Sequence, residues 1–228
     1  MNAAIPQKPG SIKLYNYWRS SASYRARIGL ALKKLDYEYV VVSLLKDGGQ
    51  QHSEEHKRRN PMEQVPVLEL EHEPGLVVQL SQSVAILEYL DERFPDPPLL
   101  PTCSFLKARV RRCVEIVNSG IQPLHNLGIL RELKAAGVDE QAWARRAIER
   151  GFTALEAEAI ESQSRYLIGD EPTLADVFLV PQMFAARRFA VDLPAFPNLS
   201  RIEKALNELP AFIAAHPERQ PDADLPKA

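Results

Sequence analysis

Arg19-Ser20-Ser21-Ala22-Ser23-Tyr24-Arg25-Ala26-Arg27 is the stretch on which the reading of this chain turns. Before it lies an apolar, strand-like run, Ile12-Lys13-Leu14-Tyr15-Asn16. After it a helical pattern continues to about Lys34, with Ile28, Leu30, Ala31, Leu32 and Leu35 on the apolar side. Hydroxyls therefore cluster where a strand hands over to a helix N-terminus. Free backbone N–H groups and the positive end of the helix dipole converge at such a junction, so it suits an anion.

Working outward, the first ninety-odd residues alternate between the two periodicities. Tyr37–Leu45 carries Val40, Val41 and Val42, a β-branched run that suits a buried strand. Glu54–Arg59 reads as a short polar helix. Val67–Leu70 and Leu76–Gln79 read as strands joined by the turn Glu71-His72-Glu73-Pro74-Gly75, hence an antiparallel hairpin. Ser83–Phe94 reads as a helix. The order β-α-β-α-β-β-α gives a parallel crossover, a hairpin and a closing helix around a small mixed sheet. The stretch Phe94-Pro95-Asp96-Pro97-Pro98-Leu99-Leu100-Pro101 is too rich in proline for helix or central strand and marks a domain boundary. Beyond it the pattern is helical, over about 104–133, 139–163, 173–190 and 198–215. Pro123 and Pro181 should bend or divide two of these helices. Thr173-Leu174-Ala175-Asp176 has the spacing of a capping box, and the apolar Val177–Val180 after it marks a helix buried among others. The tail from His216 is polar and proline-bearing and is expected to wrap the surface.

Bulk composition narrows the function classes. The 228 residues are 45% hydrophobic and 25% charged, with a net charge of -2. That balance gives no global field for nucleic acid or an anionic membrane. No apolar run approaches the roughly 20 residues of a spanning helix, and residues 1–10 show no leader-like apolar core. The two cysteines, Cys103 and Cys113, are too far apart along one helical stretch for a disulfide and read as reduced thiols of a cytoplasmic protein. The five histidines make no metal-ligand pattern with them, and the His52/His56 pair lacks a third ligand.

Two more segments resemble ligand loops. Asn60-Pro61-Met62-Glu63-Gln64-Val65-Pro66-Val67 places a proline directly before a strand, which hints at a cis Val65–Pro66 bond although trans is the ordinary state of such a bond; the cis expectation rests on the resemblance given below. Leu80-Ser81-Gln82-Ser83-Val84 is a second hydroxyl-rich helix start, which N-capping alone could explain. Taken together, these segments resemble the glutathione transferase superfamily, and specifically its zeta class, which includes maleylacetoacetate isomerases. The zeta signature reads S-S-C-x-W-R-V-R-I-A-L, and Ser20 to Leu30 follows it, with Ala22 in place of the cysteine and Tyr24 in place of the tryptophan. Asp47–Gln51, Asn60–Pro66, Ser81–Ser83, Gly120–Leu124 and Arg188–Leu193 match further zeta segments in the same order.

The resemblance implies a thioredoxin-like N-terminal domain (α+β, 11–95) and an all-α C-terminal domain (102–228). It implies glutathione as cofactor, a small keto acid as substrate, a homodimer, and neither metal, nucleic acid nor membrane. Ser20, with Ser21 beside it, would hydrogen-bond the glutathione thiolate. The backbone of Val65, ahead of Pro66, would pair with the cysteinyl part. Gln82 and Ser83 would hold the γ-glutamyl end and Gln51 the glycyl end. Substrate would fall between the domains, with Arg19 and Arg188 as carboxylate clamps and Arg187 beside the latter. Gln122, His125 and Asn126 are placed on the first long helix of the second domain, where substrate contact and ordinary interhelical bonding explain them equally well. The implied activity is cis–trans isomerisation of a maleyl keto acid, most simply maleylacetoacetate to fumarylacetoacetate. Maleylpyruvate isomerisation, transfer to or dehalogenation of small electrophiles such as α-halo acids, and a non-enzymatic scaffold are the alternatives. The intact set of anion-holding residues speaks against the scaffold.

Overall fold

The computed structural model describes residues 10–223, so the leader-free reading of residues 1–9 and the last five residues of the tail lie outside it. Two compact units divide the chain. One runs to Pro97 and resumes at Ala211; the other is Pro98–Pro210.

In the first unit the elements are β1 (Ile12–Asn16), α1 (Ser21–Leu32), β2 (Glu38–Val41), α2 (Glu54–Arg59), β3 (Val67–Glu73), β4 (Leu76–Ser81) and α3 (Ser83–Arg93). The sheet order is β2-β1-β3-β4. β1 runs parallel to β2 and antiparallel to β3, and β3 and β4 form the hairpin read from the turn. Strand alternation sends Ile12, Leu14, Leu68 and Leu70 to one face, where they meet Ala26 and Leu30 of α1 and Ile86 and Leu90 of α3. Gly29 lets α1 and α3 approach closely, since a Cβ there would lie 2.2 Å from Leu87 Cδ2. The other face gathers Tyr15, Tyr17, Trp18, Val42, Val65 and Val67.

β2 departs from the buried strand suggested by its valines. It is four residues long and stands at the sheet edge, and Val41 is 44% exposed. A strand paired on one side only is not enclosed, whatever its β propensity.

The helices of the second unit are α4 (Ser104–Asn118), α5 (Leu127–Ala135), α6 (Glu140–Ser162), α7 (Leu174–Arg188) and α8 (Pro197–Leu206). Pro123 sits in a 3₁₀ turn, Gln122–His125, that separates α4 from α5, so the single helix read over 104–133 is divided. Pro181 does not divide its helix; α7 runs through it. α7 starts at the capping box: the Thr173 N–H and hydroxyl both donate to Asp176 Oδ2, at 2.8 and 3.0 Å, and the Leu167 N–H donates to Oδ1 at 2.9 Å. Burial pushes the Asp176 carboxyl up to about 6, against the pull of those donors.

The last helix, α9 (Pro210–Ala215), leads back to the sheet unit. The sequence reading kept the tail with the helical domain. Three long-range contacts explain the difference: Arg27 Nε donates to Ala215 O at 3.1 Å, Tyr24 meets the His216 ring edge-on, and the Trp18 N–H donates to Asp222 Oδ2 at 3.1 Å. None of the described helices is long and apolar enough to cross a membrane, and no group of three or more His, Cys, Asp or Glu among the described residues is arranged to hold a metal ion.

Candidate active site

Ser20 is the N-cap of α1, with extended backbone at φ -68° and ψ 120°. Its Oγ accepts the Ser23 N–H at 3.2 Å, and its carbonyl accepts the Tyr24 N–H at 2.9 Å. Capping uses a lone pair of the hydroxyl and leaves its proton to be donated away from the helix. Ser21 is the first helical residue, half-buried like Ser20, and no acidic side chain in the first turn offsets the positive helix end.

The loop leading into Ser20 is held by a residue that composition would place at the surface. Arg27 is fully buried. Its guanidinium donates to Asn16 Oδ1 at 3.0 Å, to Trp18 O at 2.9 Å and, more weakly, to Tyr17 O at 3.4 Å. Burial draws its pKa below the ordinary value, with Tyr39, Tyr37, Tyr24 and Asp222 opposing that shift. Arg25, 1% exposed, donates from Nη1 to Ser83 Oγ at 3.2 Å and so ties α1 to the start of α3. The sequence reading missed both arginines as site residues. The available signal was two charges at i and i+2, hence on different sides, in a helix whose other residues are all uncharged.

The Val65–Pro66 bond is cis. The carbonyl of Gln64 just before it accepts from His56 Nε2 and from Asn60 Nδ2, each at 2.9 Å. Gln82 precedes α3 with φ 70°, a left-handed conformation unusual outside glycine, and no side chain among the described residues caps that helix. Its Nε2 lies 3.5 Å from Gln64 Oε1, so the Val65 loop and the α3 start adjoin.

Gln51 is buried in a 3₁₀ turn behind Gly49, whose φ of +108° and missing Cβ leave room for the Gln51 amide. Gln51 Nε2 donates to His52 Nε2 at 2.9 Å, and His52 Nδ1 donates to Glu63 at 2.5 Å. That bond holds the Glu63 carboxyl below its usual range. The other amide end of Gln51, Oε1, is buried without a partner among the described residues. Turning the amide over presents an N–H there, the polarity a carboxylate needs, and requires His52 to donate from both ring nitrogens, to Gln51 Oε1 and to Glu63. His52 and Glu63 join the Gln51 turn to the Val65 loop, a link that no local sequence pattern announced.

Arg19 is half-buried, its guanidinium 5.6 Å from the centre of the Trp18 ring. In the second unit, Arg188 is exposed and lies over Phe189, at 5.3 Å. Its neighbour Arg187 forks onto Glu203, at 2.7 and 2.5 Å. Gln122, His125 and Asn126 are not on the long helix α4 but in the turn after it. His125 Nε2 meets the Gln182 amide at 3.1–3.2 Å, and Asn126 caps α5 by accepting the Gly128 N–H at 3.0 Å.

Comparison with known proteins agrees with this arrangement. Residues 10–92 match the glutathione S-transferase N-terminal domain and residues 128–215 the glutathione S-transferase C-terminal domain. The chain is 48% identical to rat maleylacetoacetate isomerase over 213 residues, covering 93% of this chain and 95% of that protein. The chain belongs to the glutathione transferase family, in its zeta class. Among solved structures, maleylacetoacetate isomerase from Anaeromyxobacter dehalogenans, with bound dicarboxyethyl glutathione and citrate in the active site, superposes with a TM-score of 0.85 at 48% identity, covering 95% of each chain. The holo structure of maleyl pyruvate isomerase, a bacterial zeta-class transferase, has a TM-score of 0.86 at 43% identity, covering 92% of this chain and 99% of that one. In family terms, the sheet unit is the thioredoxin-like domain and the helices between Pro98 and Pro210 form the C-terminal domain.

Proposed function

We propose that this chain is a glutathione-dependent cis–trans isomerase of a maleyl keto acid, taking maleylacetoacetate to fumarylacetoacetate. The observation that carries this reading is the junction at Ser20, where the hydroxyl caps α1 through a lone pair and keeps its proton for an anion. Bound glutathione supplies the thiolate whose reversible addition turns a conjugated double bond into a single bond free to rotate. A free thiol has a pKa of about 8.5, so a site working near neutrality must stabilise the anion. Ser20 donates to it, the first N–H groups of α1 add their dipoles, and Ser21 stands beside. The Val65 backbone, Gln82, Ser83 and the uncapped start of α3 hold the cysteinyl and γ-glutamyl parts, and Gln51, with its amide turned over, donates an N–H to the glycyl carboxylate.

Arg19 and Arg188 bind the carboxylates of the substrate, with Gln122, His125 and Asn126 contributing to its pocket. Support comes from the Anaeromyxobacter protein, whose bound dicarboxyethyl glutathione is a glutathione thioether bearing two added carboxylates. The likeness to maleyl pyruvate isomerase supports a second substrate, maleylpyruvate. The same reading makes the chain a homodimer, on family grounds, and cytoplasmic, on two cysteines held as free thiols.

The test is kcat/KM for maleylacetoacetate and maleylpyruvate in the wild type, Arg19→Ala and Arg188→Ala. A charged hydrogen bond to a carboxylate contributes on the order of 1.5–3 kcal/mol, so each variant should raise KM roughly tenfold or more. Unchanged values in all three proteins, with a neutral electrophile turned over faster, would replace the isomerase with a conjugating transferase.

A further inference from the structure

The C-terminal segment reaches the junction that carries Ser20. Asp222 uses both carboxylate oxygens there: Oδ2 accepts the Trp18 N–H at 3.1 Å, and Oδ1 accepts the Tyr39 hydroxyl at 2.5 Å. The carbonyl of the same residue, Trp18, accepts from Arg27 Nη2 at 2.9 Å. Trp18 is thus gripped at its N–H from the far end of the chain and at its C=O from α1. Ala223 extends the contact by packing on the cluster that contains Tyr15, Tyr17, Trp18 and Val65. The Tyr39 phenol is held well above its usual pKa by burial first and then by the bond to Asp222, so it remains a donor at neutral pH. Gln220 braces the segment by donating to Ala214 O at 2.9 Å and His216 O at 2.8 Å.

We propose that Asp222 is a positioning residue for the isomerase site: it fixes the Trp18 backbone, and through it the aim of the Ser20 hydroxyl at the glutathione sulfur. The inference rests on the role given to Ser20 above. Two effects of removing Asp222 have opposite signs, and this makes the idea testable. Loss of a nearby negative charge stabilises a thiolate and lowers its pKa; loss of the Ser20 donor raises it. A displacement of about 1 Å at a reacting group costs up to about 10²-fold in rate.

The experiment compares wild type, Asp222→Ala, Asp222→Asn and Tyr39→Phe by three readouts. These are ultraviolet difference titration of the thiolate of bound glutathione, hydrogen exchange at the Trp18 and Ser20 amides without glutathione, and kcat. Asp222→Ala should raise the bound-thiol pKa toward the free value of about 8.5, speed exchange at Trp18 and lower kcat about 10- to 100-fold. Asp222→Asn keeps an acceptor for Trp18 and can donate to Tyr39, so its exchange should stay near wild type and its bound-thiol pKa at or below wild type. Tyr39→Phe, which keeps the carboxylate, should speed exchange at Trp18 by a smaller factor, and it provides the test should Asp222→Ala not fold. A lowered thiol pKa in the wild type that stays put or falls further in Asp222→Ala, with unchanged exchange at Trp18, overturns the inference and leaves the Ser20 reading intact. A wild type that does not lower the thiol pKa at all defeats the Ser20 reading, and the inference with it.

Discussion

Ser20→Ala and Ser20→Gly should slow turnover equally and destabilise the protein unequally. The oxygen of Ser20 performs two tasks. As an acceptor it satisfies the Ser23 N–H at 3.2 Å; as a donor, in the function proposed above, its proton serves the thiolate. Loss of the donor is the same in both variants, and a missing anion donor costs about 10²–10³ in rate. Loss of the cap is not the same. Alanine at an N-cap costs about 1–2 kcal/mol, a fall of roughly 2–8 °C in Tm for a protein of this size, whereas glycine costs only a few tenths of a kcal/mol. Thermal unfolding by circular dichroism and kcat by ultraviolet assay separate the two. A Gly variant within a few-fold of wild-type turnover beside a crippled Ala variant would mean that the rate follows helix capping, not donation. Near-wild-type turnover in both would move the thiolate contact to Ser21.

Further outcomes follow from other residues. Asp176→Ala should cost at least about 2 kcal/mol, because the buried N–H groups of Thr173 and Leu167 lose their acceptor; a Tm within a degree or two of wild type would contradict this. The Asp176 carboxyl is held near 6 in the folded state against 3.8 unfolded, so the folded protein binds the extra proton between those values. Its contribution is therefore greatest below about pH 4 and is lost as pH rises through 6. Denaturant unfolding should show wild type losing up to about 3 kcal/mol relative to Asp176→Asn between pH 4 and 7, and parallel pH profiles would refute it. Iodoacetamide on the native protein should label Cys103, exposed and shifted down by backbone N–H donors from Leu106 and Phe105, and spare Cys113, buried and pushed up to about 12; labelling of Cys113 by mass spectrometry would reveal an opening of α4. Ala22→Cys should make the junction sensitive to alkylation without a large gain in turnover, since the nucleophile belongs to glutathione; a large gain would show that the missing cysteine matters.

How much of this was legible in the sequence depended on how local the cause was. β1 reads directly because its apolar run is short and bounded, and the T-x-x-D spacing at Thr173 gives the cap of α7 because capping involves only neighbouring residues. The β3–β4 hairpin follows from a turn with proline and glycine. What escaped was set by distant partners. The valines of β2 promise burial, but edge position is decided by which strand pairs on which side. Arg25 and Arg27 look like surface charges until the carbonyls of Tyr17 and Trp18, Ser83 Oγ and Ala215 O are brought to them by the fold. Asp222 meets Trp18 across 204 residues, a pairing no window of sequence contains. Pro181 signals a break, yet α7 continues, its flanks buried on both sides of the proline. For the site, the hydroxyls at the two helix starts were visible, but the uncapped start of α3 and the unpartnered end of Gln51 are properties of three-dimensional placement.

In the proposed function, maleylacetoacetate is isomerised through the thiol of glutathione. That function is tested most directly by following loss of the cis keto acid in the ultraviolet with no thiol, with glutathione and with S-methylglutathione. Turnover is expected with glutathione alone, and should be suppressed when S-methylglutathione, which fills the same site without a thiol, is added in excess. Isomerisation that proceeds equally without glutathione, or no isomerisation of either maleylacetoacetate or maleylpyruvate when glutathione is saturating, would contradict that function.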